Sequence, residues 1–367
     1  IYVGASTMDR IVTKRNLILF IVYSAVICGC LALMNDFGTA IIFFITFLII
    51  AFLRSGNFAT IALACAGTGF AGVLALHFKP YAMKRFSVWG HVWENASSTG
   101  YSQTRALMCI ASGGLFGLGA GKGWLHHVGA ADTDLVFALV SEEWGLLLAG
   151  LCVAAIVLLA AFVVRSLPQG RSCFYAIGAA SAVTIYVVQA MLNVFGTTDL
   201  LPLTGVTFPF QRRLEHDLRL GASCLHQGGG HAAERKLCHS ASEAEGGGGM
   251  KKISKRAWMA LALAAALLAG LLVFFGEYFI EAKTWVAFPG SPHVYTGVNP
   301  DCGKIYDRSG MLLLNTNDGR VYNADEAVRR ATLHLLGDRD GYISAPLLQT
   351  YASKMIGFDV VNGLYTD

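Results

Sequence analysis

Charge is scarce in this chain. Asp, Glu, Lys and Arg make up 14% of its 367 residues, where a soluble domain carries about a quarter. That deficit excludes an ordinary soluble globule and a disordered protein. The length would hold two or three soluble domains. However, 54% of the residues are hydrophobic and the mean hydropathy is +0.53, which places much of the chain in lipid. The net charge of +4 is too small to suggest a nucleic-acid partner. Cysteines placed to pair are missing as well. Of the nine, Cys28, Cys30, Cys65, Cys109, Cys152 and Cys173 lie in or beside apolar runs and read as small hydrophobes. Cys302 has no partner nearby, so no disulfide framework is expected. No signal peptide opens the chain. It begins at Ile1 in mid-pattern without a Met, and is expected to be truncated.

What is present is a series of apolar runs of membrane-crossing length, about 20 residues each. They are Leu17–Met34, the shorter Gly38–Leu53, Phe58–Phe78, Leu135–Val164, Cys173–Phe195 and Ala257–Phe275. The pattern predicts an all-α polytopic membrane protein of about five spans, followed by a sixth single-span anchor. Arg10, Lys14 and Arg15 precede the first run and are placed in the cytoplasm. Arg54, Arg165 and Arg171 then fall inside, and the long mixed segment 79–134 falls outside. Lys251, Lys252, Lys255 and Arg256 precede the last run and put everything after Phe275 outside. The pattern therefore reads as a multi-pass membrane protein.

Residues 211–249 break the pattern. They have no apolar period, four His, two Cys and many Gly, and are expected to be disordered. Met250, a basic patch and a clean apolar run then read as the start of a second protein. Cys224, His226, His231, Cys238 and His239 have the residue types of a zinc site. Their C-x-H…H…C-H spacing is not that of a standard knuckle, and an out-of-frame peptide would supply such residues by accident.

Four motifs in order carry a resemblance. They are NDFGTA at 35–40, GYSQTRALMCIASGGLFGLGAGKG at 100–123, DTDLVFALVSEEWG at 132–145 and QAMLNVFGTTDLLPLTGVTFPF at 189–210. Residues 1–210 resemble the SEDS family of cell-wall polymerases (FtsW, RodA, SpoVE) and look like helices five to nine of that family's ten. The family continues after P-F with S-x-G-G-S-S, where this chain reads Gln211-Arg212-Arg213. Permissive codons for 211–217 give N-G-G-S-S-M-I when read one base later. The same shifted frame meets TGA across the Met250 codon. A frameshift joining two genes is therefore expected, with 211–249 its product. Residues 250–367 resemble the start of a class B penicillin-binding protein, through GKIYDRSGMLLL at 303–314 and RRATLHLLGDRDGYI at 329–343. That implies a cytoplasmic start and anchor helix over 250–280. It also implies the start of an α+β extracellular pedestal domain over 281–367, without the transpeptidase domain.

The first resemblance implies a peptidoglycan glycosyltransferase that polymerises lipid II for elongation, division or sporulation. Its implied partners are undecaprenyl-pyrophosphate-linked glycan, a class B penicillin-binding protein, divisome or elongasome proteins and membrane lipids. Such a transfer needs a base for the acceptor hydroxyl and cationic groups for the leaving pyrophosphate. Asp134 matches the family's T-D-F Asp and is the base candidate. As a residue read by itself, Thr133 or Asp134 before an apolar helix is equally a helix cap. Lys84, Arg85, Arg105 and Lys122 would meet pyrophosphate, or else contact solvent and anionic headgroups. Gln103, within the second motif, joins the substrate-binding candidates. Glu142 and Glu143 lie about two turns into the expected span; they would line a cavity or pair with a cation. Asp36 would cap the helix over Gly38–Leu53 or line the cavity. Gly113, Gly114, Gly117, Gly119 and Gly121 do not fit the phosphate-loop pattern and suit tight turns and close helix packing. A divalent cation, magnesium or manganese, is a candidate cofactor. Asp132 replaces the family's His and the family's L-P-E reads VGAA here, while helices one to four and ten are missing. The chain as written is expected to be inactive. A lipid-precursor flippase and a non-enzymatic division scaffold are the other readings.

Overall fold

The computed structural model describes residues 22–24, 26–31, 34, 37–55, 80–169, 173–208, 253, 255–296, 299–300, 303–316, 320–340 and 342–364. The run expected over Phe58–Phe78, the 211–249 stretch and Asp36 lie outside them, as does the start of the run expected over Leu17–Met34. The described chain is mostly helical. Its helices are α1 (Phe37–Ser55), α2 (Pro80–Val88), α3 (Tyr101–Gly113), the four-residue α4 (Ala131–Asp134), α5 (Val136–Trp144), α6 (Leu146–Ser166), α7 (Cys173–Thr197) and α8 (Trp258–Ala287). Among the described residues, Leu146–Ser166, Ala176–Thr197 and Trp258–Ala287 are long and apolar enough to cross a membrane, and Gly38–Leu53 is a shorter apolar helix.

Two boundaries differ from the hydropathy reading. The run over Leu135–Val164 is two helices, broken at Gly145. There φ is +91°, and a Cβ would meet the Leu115 carbonyl oxygen at 2.2 Å. Only glycine fits both conditions. The break also settles the first N–H groups of α6, which have no partner within their own helix. Leu146 N donates to Gly114 O at 3.0 Å and Leu147 N to Leu115 O at 3.2 Å. The last apolar helix is longer than Ala257–Phe275 and continues to Ala287. Its later turns carry Glu277, Glu281 and Lys283, which lower hydropathy without interrupting the helix.

The chain groups into two compact units. One comprises residues 1–87, 152–196 and 201–270; the other comprises 88–151, 197–200 and 271–367. The first has an apolar core of Phe47, Ile49, Ile50, Leu53, Ile177 and Ala180, joined by Ala257 and Ala260. Two polar side chains within it are satisfied by their own helix. Ser181 and Thr184 donate to the carbonyls four residues back at 2.7 and 2.8 Å, the usual way a hydroxyl enters an apolar helix. Arg256 donates to Leu53 O at 3.0 Å, near the end of α1. Two of the sequence motifs meet here. A Cβ on Gly38 would lie 2.5 Å from Val206 Cγ2 and 2.9 Å from Thr204 O, and Asn193 Nδ2 donates to Val206 O at 2.8 Å. Small residues permit such approach in membrane helices.

The second unit holds α3 to α5, the later turns of α8 and a C-terminal α+β segment. Two short antiparallel strands, β1 (Tyr295–Thr296) and β2 (Asn299–Pro300), pair directly after α8. Strands β3 (Lys304–Tyr306), β4 (Leu312–Asn315) and β5 (Val321–Tyr322) form an antiparallel sheet. Helices α9 (Glu326–Leu336) and α10 (Pro346–Met355) follow, and Leu314, Leu336, Ala345 and Leu348 form a core of their own. Asp325 caps α9 by accepting from Ala327 N at 2.9 Å. A last hairpin, β6 (Phe358–Asp359) and β7 (Gly363–Leu364), ends the described chain.

Candidate active site

The candidate residues of the second unit lie on α3, the glycine-rich connection after it, α4 and α5. Helix α3 packs on α5 at backbone distance: a Cβ on Gly113 would stand 2.5 Å from Ser141 O and 2.7 Å from Glu142 O. The connection continues this approach. Leu118 N donates to Glu142 O at 2.9 Å and Gly119 N to Glu143 O at 3.0 Å. The glycines thus bring backbone to backbone, and these two N–H groups are taken up within the protein.

Glu142 and Glu143 organise the turn that follows. Because the helix breaks at Gly145, they occupy the last turn of α5 rather than the second turn of a span. Glu142 is fully buried. Its Oε1 accepts from Trp124 N at 2.8 Å and lies 2.6 Å from His293 Nε2, and its Oε2 accepts from Leu125 N at 3.0 Å. Burial alone would raise its pKa. The His293 ring and the two N–H groups outweigh burial and hold the carboxyl below its usual value. Glu143 Oε2 accepts from Gly121 N at 3.1 Å. Lys122, between these anchors, is exposed.

Asp134 ends α4, whose entry at Ala130 is left-handed with φ +61°. Its carboxylate is half-buried, and Oδ1 accepts from Thr133 Oγ1 at 2.8 Å. The residue at the cap position of α5 is Leu135, with no side-chain cap bond. Neither Thr133 nor Asp134 therefore occupies that cap. On α3, Gln103 is buried. Arg105 is half-buried, donates to Gly290 O, lies 3.1 Å from Met108 Sδ and sits over the Tyr101 ring at 5.0 Å. It lines a cleft of about 240 Å³ with Trp93, Glu94, Phe288 and Pro289. The cleft's aromatic wall continues inward: Trp93 stands 5.0 Å from Phe288 and 6.3 Å from Trp285 between ring centroids.

Lys84 and Arg85 lie on α2, in the first unit, where Arg85 donates to Leu203 O at 2.9 Å. Asp36 lies outside the described residues. Sequence reasoning passed over His293 and took Cys109 for a core hydrophobe. Their ligand atoms lie with a Glu142 oxygen within 4.8 Å of one another. No local pattern marks His293, because its partner is 151 positions away.

The sequence pattern of the FtsW/RodA/SpoVE family, described as cell cycle protein, matches residues 3–211. The chain belongs to this family. It is accordingly a multi-pass membrane protein, as its long apolar helices also indicate. It is 29% identical over 185 residues to the peptidoglycan glycosyltransferase RodA of Mycobacterium tuberculosis, covering 50% of this chain and 39% of that protein. It is 29% identical over 193 residues to a probable peptidoglycan glycosyltransferase FtsW of Coxiella burnetii, covering 50% and 51%. Over 182 residues it is 29% identical to stage V sporulation protein E of Bacillus subtilis, covering 48% of each. The chain spans about two-fifths to half the length of these relatives. The matched stretch contains Asp134 and the other candidates for glycosyl transfer named from the sequence.

Proposed function

We propose that residues 1–210 are the active-site half of a lipid II polymerase, with Asp134 as the base. The observation that carries this is the position of Asp134. Its carboxylate is half-exposed at the end of the glycine-rich connection, 12 residues before the apolar helix that starts at Leu146, and it does not occupy the cap position of α5. In the proposed transfer Asp134 takes the proton of the acceptor hydroxyl. That oxygen bonds to the anomeric carbon of the donor sugar, and the bond from that carbon to the lipid pyrophosphate breaks. Arg105 and Lys122, in the same unit as Asp134, would offset the charge that develops on the leaving pyrophosphate. Gln103 would hold substrate polar groups. The cleft beside Arg105, with Trp93 and Phe288, would take an amphipathic chain.

A magnesium or manganese ion would supply further charge neutralisation. Asp134 and Asp132, two residues before it, are the carboxylates that could hold such an ion, since magnesium is usually held by one or two carboxylates together with substrate phosphates. Residues 250–367 are proposed as the anchor and pedestal start of a class B penicillin-binding partner. Residues 211–249 are proposed as an out-of-frame join. The nucleotide sequence from Gly205 to Ala257 tests that join directly: an uninterrupted frame would reject it.

The activity is tested in a chimaera in which residues 3–208 replace the matching stretch of the Bacillus subtilis relative. Lipid II polymerisation is expected with Asp134 and lost with Asp134→Ala. Glycan formation by the Asp134→Ala chimaera rejects the assignment. Lipid flipping that survives the substitution while polymer is never formed would favour transport instead.

A further inference from the structure

We infer that Cys109, Glu142 and His293 form a binding site for a divalent cation of the zinc class. This does not depend on the proposed glycosyl transfer. The three residues come from α3, α5 and the segment after α8, all within the second unit. The Cys109 sulfur, a Glu142 oxygen and a His293 nitrogen lie within 4.8 Å of one another. Tetrahedral zinc holds its ligands at about 2.0–2.3 Å, which sets ligand atoms about 3.3–3.8 Å apart. Glu142 Oε1 and His293 Nε2, now hydrogen-bonded at 2.6 Å, would part by about an ångström to take the ion in place of their shared proton, and the Cys109 sulfur would close in by about as much.

The surroundings favour occupation. Cys109 and Glu142 are fully buried, and the His293 side chain is 18% exposed, which leaves a route for an ion. Glu142 is already aimed by two backbone N–H donors, from Trp124 and Leu125. Backbone donors that fix a ligand in this way are part of a working metal site. A thiolate, a carboxylate and a neutral imidazole carry two negative charges, which a divalent ion balances inside the protein. Cys109 would bind as the thiolate, its proton passing to solvent. A thiolate with an imidazole selects zinc over magnesium, calcium or manganese, which prefer oxygen ligands. Three protein ligands leave a fourth position for water. The ion would tie the segment after α8 to α3 and α5.

The test uses the full chain in detergent, carrying Cys224→Ser and Cys238→Ser so that the 211–249 stretch cannot contribute. After equilibration with zinc and removal of the excess, elemental analysis is expected to find about one zinc per chain. Cobalt in its place should give the visible bands of a four-coordinate site and a thiolate charge-transfer band. Cys109→Ser and His293→Ala should each abolish that spectrum with helical circular dichroism unchanged. They should weaken zinc binding beyond the roughly 10–100-fold that loss of an outer supporting group costs. His293→Cys should restore binding with a stronger charge-transfer band, which guards against loss through misfolding. Zinc should also raise the unfolding temperature of the parent but not of Cys109→Ser. No bound metal in the parent overturns the inference. So does stoichiometric zinc with an unchanged cobalt spectrum in both Cys109→Ser and His293→Ala.

Discussion

The core of the first unit and the glycine-rich region of the second solve the same problem by different means. In the first, long helices satisfy their own backbones, and apolar side chains such as Ile50, Leu53 and Ile177 fill the space between them. In the second, helices are short and glycines bring backbone within reach of backbone. Carboxylates from the end of α5 accept from the N–H groups of Gly121, Trp124 and Leu125 in the connection that precedes α4. The first arrangement depends on volume and tolerates change in chemistry. The second depends on particular atoms and tolerates little. A catalytic carboxylate needs the second kind of support, because its position must hold without the help of a regular helix around it.

The largest expected effect is chemical. In the chimaera described above, Asp134→Asn should lower the rate of lipid II polymerisation by about 10²–10⁴-fold while circular dichroism stays unchanged. A loss of helix along with activity would place Asp134 in the structural class instead. Next is Gly145→Val. Backbone strain at φ +91° alone should cost about 1–3 kcal/mol, and the collision with Leu115 O adds to it. A thermal unfolding assay in detergent that shows no loss would mean the break between α5 and α6 is soft.

Within the first unit, Ile177→Ala should cost toward the lower end of the about 2–5 kcal/mol seen in soluble cores, because lipid removes much of the transfer penalty. Leu158→Ala, at a side chain 69% exposed, should be close to neutral. Equal costs at the two positions would contradict the packing described. The smallest effect is expected at Gly178, whose added Cβ meets nothing within 4 Å. Gly178→Ala should be neutral or gain up to about 1 kcal/mol, read as a small rise in the same melting assay. The contrast between Gly145 and Gly178 is the most direct test of the two-region comparison.

Legibility in the sequence followed the same division. Helices α6, α7 and α8 could be read from hydropathy because one property, apolar length, determines them. The break at Gly145 could not, since Leu146 and Leu147 continue the apolar run and the reason for the break lies at Leu115. The continuation of α8 to Ala287 was hidden for the opposite reason: charged residues ended the apolar run but not the helix. The alternative of Thr133 or Asp134 as a cap depended on an apolar helix starting at Leu135; the structure starts α5 at Val136 and puts Leu135 in the cap position. Glu142 left two roles open because its partners, the 124–125 backbone and His293, are set by tertiary structure. Cys109 looked like its apolar neighbours on α3, and only the arrival of a distant imidazole separates it from them.

The hairpin β6–β7 meets the end of α3 through main chain. Leu115 N donates to Val361 O at 2.8 Å, and a Cβ on Gly114 would lie 2.3 Å from Gly363 N, while one on Gly363 would lie 2.3 Å from Ser112 O. Such a junction does not distinguish between side chains; it registers only whether one is present. Both positions also hold positive φ, at 64° and 74°, so any replacement is opposed twice. Substitutions around this junction alter side chains it does not use, yet at these two positions the permitted vocabulary is a single letter.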